Sequence, residues 1–337
     1  MGFEMDKSTE AEIKEKTRKI YENQHDYVRN DEIAMKRFIS MYESDYFKPA
    51  GINKSFLSGA KILEIGCGNT GKTAIGLYQL AGTSLDYTFT DLGENWINSM
   101  KSSLSKYDFD NSCSKFTSAS ADELPFDDKI FDLVVCHGVL LHVPSLNCAE
   151  KSVQEICRVT KDSGKIYAVG GVVGGIYEEA IFPAIRSFYN SNKSFKKFID
   201  DINQESIETI KNQFINEVNI LQVDSPLADL ISTGGFTKLF DTDLFVTLQN
   251  IIQAPVRLEL SEEWWKQNFS NEGFNRITRL FRRVERENIR GIFQELHFLN
   301  AKNKACSDYK LPTELSNFLD SVYGSGNLEY VFTKSNK

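Results

Sequence analysis

"LEIGCGNTG", Leu63 to Gly71, sets three glycines (Gly66, Gly68 and Gly71) at the spacing G-x-G-x-x-G directly after a short apolar run. Glycine lets a ligand approach the main chain, and a helix that starts at the loop turns its unpaired N–H groups towards that ligand. Asp91 ends the next apolar run, 25 residues after Gly66, where a carboxylate can accept hydrogen bonds from ribose hydroxyls. So far NAD and other adenosine ligands fit alike. Glu64 raises the question between them. A dehydrogenase strand is normally apolar two places before its first glycine, and here that place is acidic.

The elements that must hold these groups follow from the hydrophobic pattern. "AKILEIG" predicts a short buried strand, and "GKTAIGLYQLAG" a helix that stops at Gly82. "DYTFTD" is a strand and "NWINSMKSSLSKY" a helix. "FTSASA" is a third strand, and "IFDLVVCHGVL" a fourth whose apolar run suits a buried parallel strand. The helix "CAEKSVQEICRVTK" and the strand "GKIYAVGG" follow. Strands alternating with helices over about 115 residues predict an α/β fold with a doubly wound, mostly parallel sheet. Upstream, residues 8–47 carry apolar positions at helical spacing, and "KPAGI" is expected to break that pattern with Pro49 and Gly51. Later, "SEEWWKQNFSNEGF" reads as a capped helix ending at Gly273, and "NRITRLFR" and "LEYVFTK" as strands.

Composition bounds the function. The chain has 337 residues, 41% hydrophobic and 26% charged, with a net charge of −8. That balance is globular and argues against a nucleic-acid partner. The six cysteines form no C-x-x-C pair, so neither a disulfide framework nor a metal site is expected. The charged N-terminal stretch has no apolar core of a signal sequence, and no run approaches a membrane span. The expectation is a cytoplasmic protein with no membrane partner.

From Lys61 to about Val169 the chain resembles the class I S-adenosylmethionine-dependent methyltransferases of the small-molecule type, including the quinone-biosynthesis C-methyltransferases. "KILEIGCGNTGKTA" is similar to their first motif, with an acid two places before G-x-G, and "FTDLGENWINSM" to their second. "SASADELPFDDKIFDLVVCHGVLLHVP" matches the stretch that passes the adenine and forms strand four. "EICRVTKDSGKIYAVGG" matches the helix and strand that follow. The chain departs from the family in three places. An extra residue separates Gly68 from Gly71, Ser120 stands where an acid often precedes Ala121, and Asp162-Ser163-Gly164 replaces a Pro-Gly turn.

The resemblance implies a Rossmann-like seven-stranded sheet with S-adenosyl-L-methionine as cofactor, S-adenosyl-L-homocysteine as its product, and a small-molecule methyl acceptor. It implies a cofactor site of Glu64, Gly66, Cys67, Gly68, Gly71, Asp91, Leu92, Ser120, Ala121, Asp122, His137 and Gly138. Glu64 would organise the methionine amino group through the backbone or a water, Asp91 would take the ribose, and Ser120 or Asp122 the adenine amino group. His142, in "GVLLHVP", faces the sulfonium or the acceptor in such proteins. Two roles stand for it: a base that takes the acceptor's proton, or a lining residue. His297 is a less central candidate. Tyr21 and Tyr27 are similar in place to a helix that closes over the cofactor.

The expected division is an N-terminal helical segment (1–55), a cofactor-binding core (56–175), a largely helical substrate lid (176–255), and the remainder of the core (256–337) with a second insertion at about 284–325. Aromatic residues of the insertions (Phe182, Phe188, Tyr189, Phe236, Phe240, Phe245) could line an acceptor pocket or form the lid's own core. The expected activity is methyl transfer to O, N or C of a small molecule, in secondary metabolism. A non-methylating reaction on the same cofactor and a non-catalytic binding module are the alternatives.

Overall fold

The computed structural model describes residues 7–23, 45–171, 182–193, 196–197, 252, 254–280 and 327–335. Helix α1 (Lys7–Asn23) comes first, then a 3-10 helix (Asp45–Ala50) and a single-turn α2 (Lys54–Leu57). Pro49 lies inside the 3-10 helix, and the turn comes at Gly51, whose φ of +63° is left-handed. The expected break is therefore set two residues later than the proline, because φ of proline suits a helical turn. Tyr27, the rest of residues 24–44, most of the expected lid, the second insertion and His297 lie outside the described residues.

Seven strands form one sheet: β1 (Lys61–Ile65), β2 (Asp86–Asp91), β3 (Lys115–Ser118), β4 (Phe131–His137), β5 (Thr160–Gly171), β6 (Arg276–Arg279) and β7 (Asn327–Thr333). Their spatial order is β3-β2-β1-β4-β5-β7-β6. β1 to β5 pair in parallel, and β7 runs antiparallel between β5 and β6. The chain leaves β1 in one direction to β2 and β3, then returns to place β4 on its other side. Ligands of such sheets bind in the crevice at the strand ends beside that reversal. Here the crevice opens between Ile65 and His137, where the glycine loop leaves β1.

Helices cover both faces. On one lie α2, α3 (Lys72–Ala81) and α4 (Trp96–Lys106), with Leu77, Met100 and Leu104 fully buried against Ile62, Tyr87 and Val135. On the other lie α5 (Leu146–Val159) and α7 (Glu262–Asn271), with Ile156, Trp265 and Phe269 against Leu63, Val134 and Phe332. A sixth helix, α6 (Phe182–Ser191), opens the segment expected to be helical after β5. Caps fix the ends. The Ser145 hydroxyl accepts from the Cys148 amide at 3.2 Å to start α5, Ser261 does the same for Trp264 at 3.0 Å in α7, and left-handed Gly82 stops α3.

Besides α5, which starts and ends two residues earlier than expected, three strand boundaries depart most from the sequence expectation. β3 ends at Ser118, so Ser120 and Ala121 sit in a turn closed by a bridge between Ser120 and Glu123. β4 ends at His137, because Gly138 takes φ +73° and its amide donates to the Val169 carbonyl at 2.8 Å. β5 begins at Thr160 and takes in Asp162-Ser163-Gly164 as an irregularity, where pairing jumps from Phe131↔Thr160 to Leu133↔Lys165. A Cβ at Gly164 would lie 3.0 Å from the Phe131 carbonyl oxygen, so this bulge needs glycine in place of a turn.

Candidate active site

The loop after β1 is built from left-handed residues: Gly66, Gly68 and Gly71 have φ of +63°, +60° and +62°. Their requirements differ. A Cβ on Gly66 would fall 2.3 Å from Val139 Cγ2 in the loop after β4, so Gly66 lets the two rim loops meet. A Cβ on Gly71 would meet Leu104 and Met100 of α4 at 2.7 and 2.8 Å. Packing between α3 and α4 therefore accounts for Gly71. The Cys67 amide donates to the Thr90 carbonyl at 3.1 Å and seats the loop on β2. Cys67 itself is buried, and burial holds its thiol well above the usual range.

Asp91 is the clasp between the two loops. Its Oδ2 accepts from the Gly68 amide at 2.8 Å and its Oδ1 from the Leu92 amide at 2.8 Å. Glu64 lies one layer below, only 4% exposed. The Tyr87 hydroxyl donates to its Oε2 at 2.7 Å. Burial lifts the Glu64 carboxyl to about 7, against the lowering effect of that hydrogen bond.

The far rim carries the histidines. His137 ends β4 and is half-buried beside Gly138. His142 stands in the following loop, its ring centroid 5.7 Å from that of Tyr21. Its Nδ1 lies 3.2 Å from the Val256 carbonyl oxygen, and a carbonyl only accepts, so Nδ1 carries the proton. The neutral ring then has its lone pair on Nε2. The segment bearing Val256 is anchored where the Leu258 amide donates to the Leu141 carbonyl at 2.7 Å.

Helix α1 crosses this rim. Lys14 Nζ bridges both oxygens of Asp122 at 2.7 Å. The Ser145 hydroxyl donates to Glu10 Oε1 at 2.7 Å, and Ser120 donates to Asp122. Burial acts to raise the Asp122 carboxyl, but Lys14 and Ser120 outweigh it and hold it below the usual carboxylate range. Asp122 thus serves first as the docking point of α1, with Ser120 beside it. The sequence reading missed Lys14, Glu10 and Tyr87. A signal exists for α1, where Glu10, Lys14 and Tyr21 follow helical spacing on one face.

Residues 63–168 match the family model described as a methyltransferase domain. This stretch is a class I S-adenosylmethionine-dependent methyltransferase domain. The chain is 32% identical to the malonyl-[acyl-carrier protein] O-methyltransferase of Buchnera aphidicola over 53% of its own length and 61% of that protein's. It is 30% identical to the ubiquinone/menaquinone biosynthesis C-methyltransferase UbiE of Rickettsia felis, over 45% of this chain and 62% of that one. It thus spans about three fifths of these two relatives. PKMT2 from Rickettsia typhi, solved with AdoHcy, shares the fold with a TM-score of 0.52 at 16% identity, covering 88% of this chain and 54% of that one.

S-adenosylmethionine is the cofactor of such a domain, and the donor set fits it. It carries an ammonium and a sulfonium and no phosphate, and the methyltransferase domain sets the carboxyls of Glu64 and Asp91 under and beside its glycine loop. Among the described residues, no group of His, Cys, Asp or Glu is arranged to hold a metal ion, and no helix is long and apolar enough to cross a membrane.

Proposed function

We propose that the chain transfers a methyl group from S-adenosylmethionine to an O, N or C atom of a small molecule. The observation that carries this reading is the clasp of Gly68 to Asp91 at the sheet reversal, opposite a histidine whose Nδ1 is already engaged.

Bound S-adenosylmethionine supplies an electrophilic methyl on a sulfonium centre. The chain's own residues do the rest. Asp91 would receive the ribose hydroxyls, and the glycine loop from Gly66 to Gly71 would border the methionine end, with Glu64 beneath it favouring the ammonium. Leu92, Ser120, Ala121 and Asp122 border the adenine. His137 and Gly138 would border the sulfur. His142 Nε2 would accept the proton that the acceptor atom loses, with the ring held by its Nδ1–H bond to the Val256 carbonyl. Because the electrophile is strong, alignment and exclusion of water carry most of the catalysis.

We assign residues 176–255 as the substrate lid, on the strength of the segment's place in the sequence directly after β5. The free thiols of Cys67, Cys113, Cys136, Cys148 and Cys157 support a reducing compartment, the cytoplasm. Calorimetry with S-adenosylhomocysteine, followed by mass spectrometry of candidate acceptors incubated with S-adenosylmethionine, tests the proposal. Absence of binding, or products lacking one added methyl, would defeat it.

A further inference from the structure

Thr17 of α1 is buried, at 4% exposure, among exposed and half-buried neighbours. Its hydroxyl oxygen is buried and has no hydrogen-bond partner. Threonine on a surface helix normally points to water or bonds back to its own helix, and a buried hydroxyl left unmatched is destabilising. Such an atom asks what completes it.

Its position answers. Lys14 lies three residues before Thr17 and Tyr21 four after, so the three share one helical face. Lys14 is bound to Asp122 at one end of the rim, and Tyr21 packs on His142 at the other. Thr17 is therefore held over the ground between these two, the stretch the cofactor spans if the function proposed above holds. The docking of α1 itself does not use the Thr17 hydroxyl. Lys14 to Asp122 and Glu10 to Ser145 already fasten the helix.

We propose that the Thr17 hydroxyl is a cofactor contact, completed by a polar group of S-adenosylmethionine when it lies under α1. This rests on the methyltransferase reading. The helix is then part of the binding surface as well as its cover, and affinity depends on a residue about 50 positions upstream of the glycine loop.

The test is Thr17→Val, which keeps the shape and removes the hydroxyl, with Thr17→Ser as the rescue. Calorimetry with S-adenosylhomocysteine is expected to show 5- to 20-fold weaker binding for valine and near wild-type binding for serine. The midpoint of unfolding of the ligand-free protein is expected to stay level or rise, because an unmatched polar atom is lost. Equal affinity of wild type and Thr17→Val would overturn the proposal, as would weaker binding by both variants alike. A change confined to the acceptor's KM would overturn it too, since it would assign the hydroxyl to the acceptor. If wild type itself binds no S-adenosylhomocysteine, the function proposed above fails instead, and the two failures are distinct.

Discussion

The amide of Gly68 and the carboxylate of Asp91 meet at 2.8 Å, so the loop after β1 and the end of β2 move as one. A ligand held by Asp91 therefore has its position set against the glycine loop before any other contact forms. Preorganisation of this kind lowers the cost of binding. It also makes Asp91 a structural residue, so its removal acts twice.

Asp91→Ala is expected to weaken S-adenosylhomocysteine binding by about 1.5–3 kcal/mol, the value of a charge-assisted acceptor. It should also lower the unfolding free energy by about 1 kcal/mol through the orphaned Gly68 amide. Calorimetry and urea titration read the two effects separately. Affinity unchanged by the substitution would show that the ribose lies elsewhere.

His142→Ala should slow turnover by about 10²–10⁴-fold while cofactor affinity stays within a few-fold. Only neutral imidazole accepts a proton, so the wild-type rate should fall as acid protonates the ring, and the variant should lose that acid limb. A pH–rate curve shared by both proteins would leave His142 as a lining residue.

Two buried carboxyls give the fold a pH dependence. Burial raises Glu64 to about 7 and Glu329 to about 8, and in the unfolded chain both return to the ordinary carboxyl range. Between those values the folded state binds more protons than the unfolded one, so stability falls as pH rises from about 5 to 8. The slope is at most about 1.4 kcal/mol per pH unit for each group. Urea unfolding across that range should show the decline, and Glu64→Gln and Glu329→Gln should each flatten part of it. A stability profile rising from pH 5 to 8 would contradict the assignment.

Cofactor binding should release a proton near neutral pH. Cationic groups above the glycine loop favour the ionised form of Glu64, so affinity should rise as pH increases through about 7. Calorimetry in buffers of different ionisation enthalpy measures the proton directly. Glu64→Gln should abolish the release, and a variant that still releases it would place the titrating group elsewhere.

Gly66→Ala should be costly on two counts. The residue needs φ of +63°, and its Cβ would sit 2.3 Å from Val139 Cγ2. A loss of about 2–4 kcal/mol is expected, from left-handed strain plus overpacking. Adding Val139→Ala should recover the overpacking share only. Full recovery would mean that the backbone strain is negligible.

The strands and the glycine loop were legible in the sequence because their signals are local. A continuous apolar run buried on both faces, a glycine after it and an acid at a strand end each lie within a few residues. The contacts that shape the rim are not local. Lys14 and Asp122 are 108 positions apart, and neither segment bears a trace of the other. The bulge of β5 was missed for a related reason. Thr160 and Lys161 read as the end of the preceding helix and Asp162-Ser163-Gly164 as a turn, and only the partner strand β4 reveals the pairing. Glu64 was singled out correctly as an acid in an apolar strand, but its Tyr87 partner comes from β2 across the sheet.

The place of β7 has a consequence for how the protein is made. Tyr167 of β5 and Glu329 of β7 touch across 162 positions of chain. β6, synthesised earlier, pairs with β7 on its other side. Until β7 leaves the ribosome, β5 presents an open apolar edge and β6 has nothing to join. At about 5–20 residues per second that interval lasts roughly 10–30 s. The nascent chain is thus open to edge-to-edge pairing through nearly half of its synthesis, and closure of the sheet is a late, long-range event.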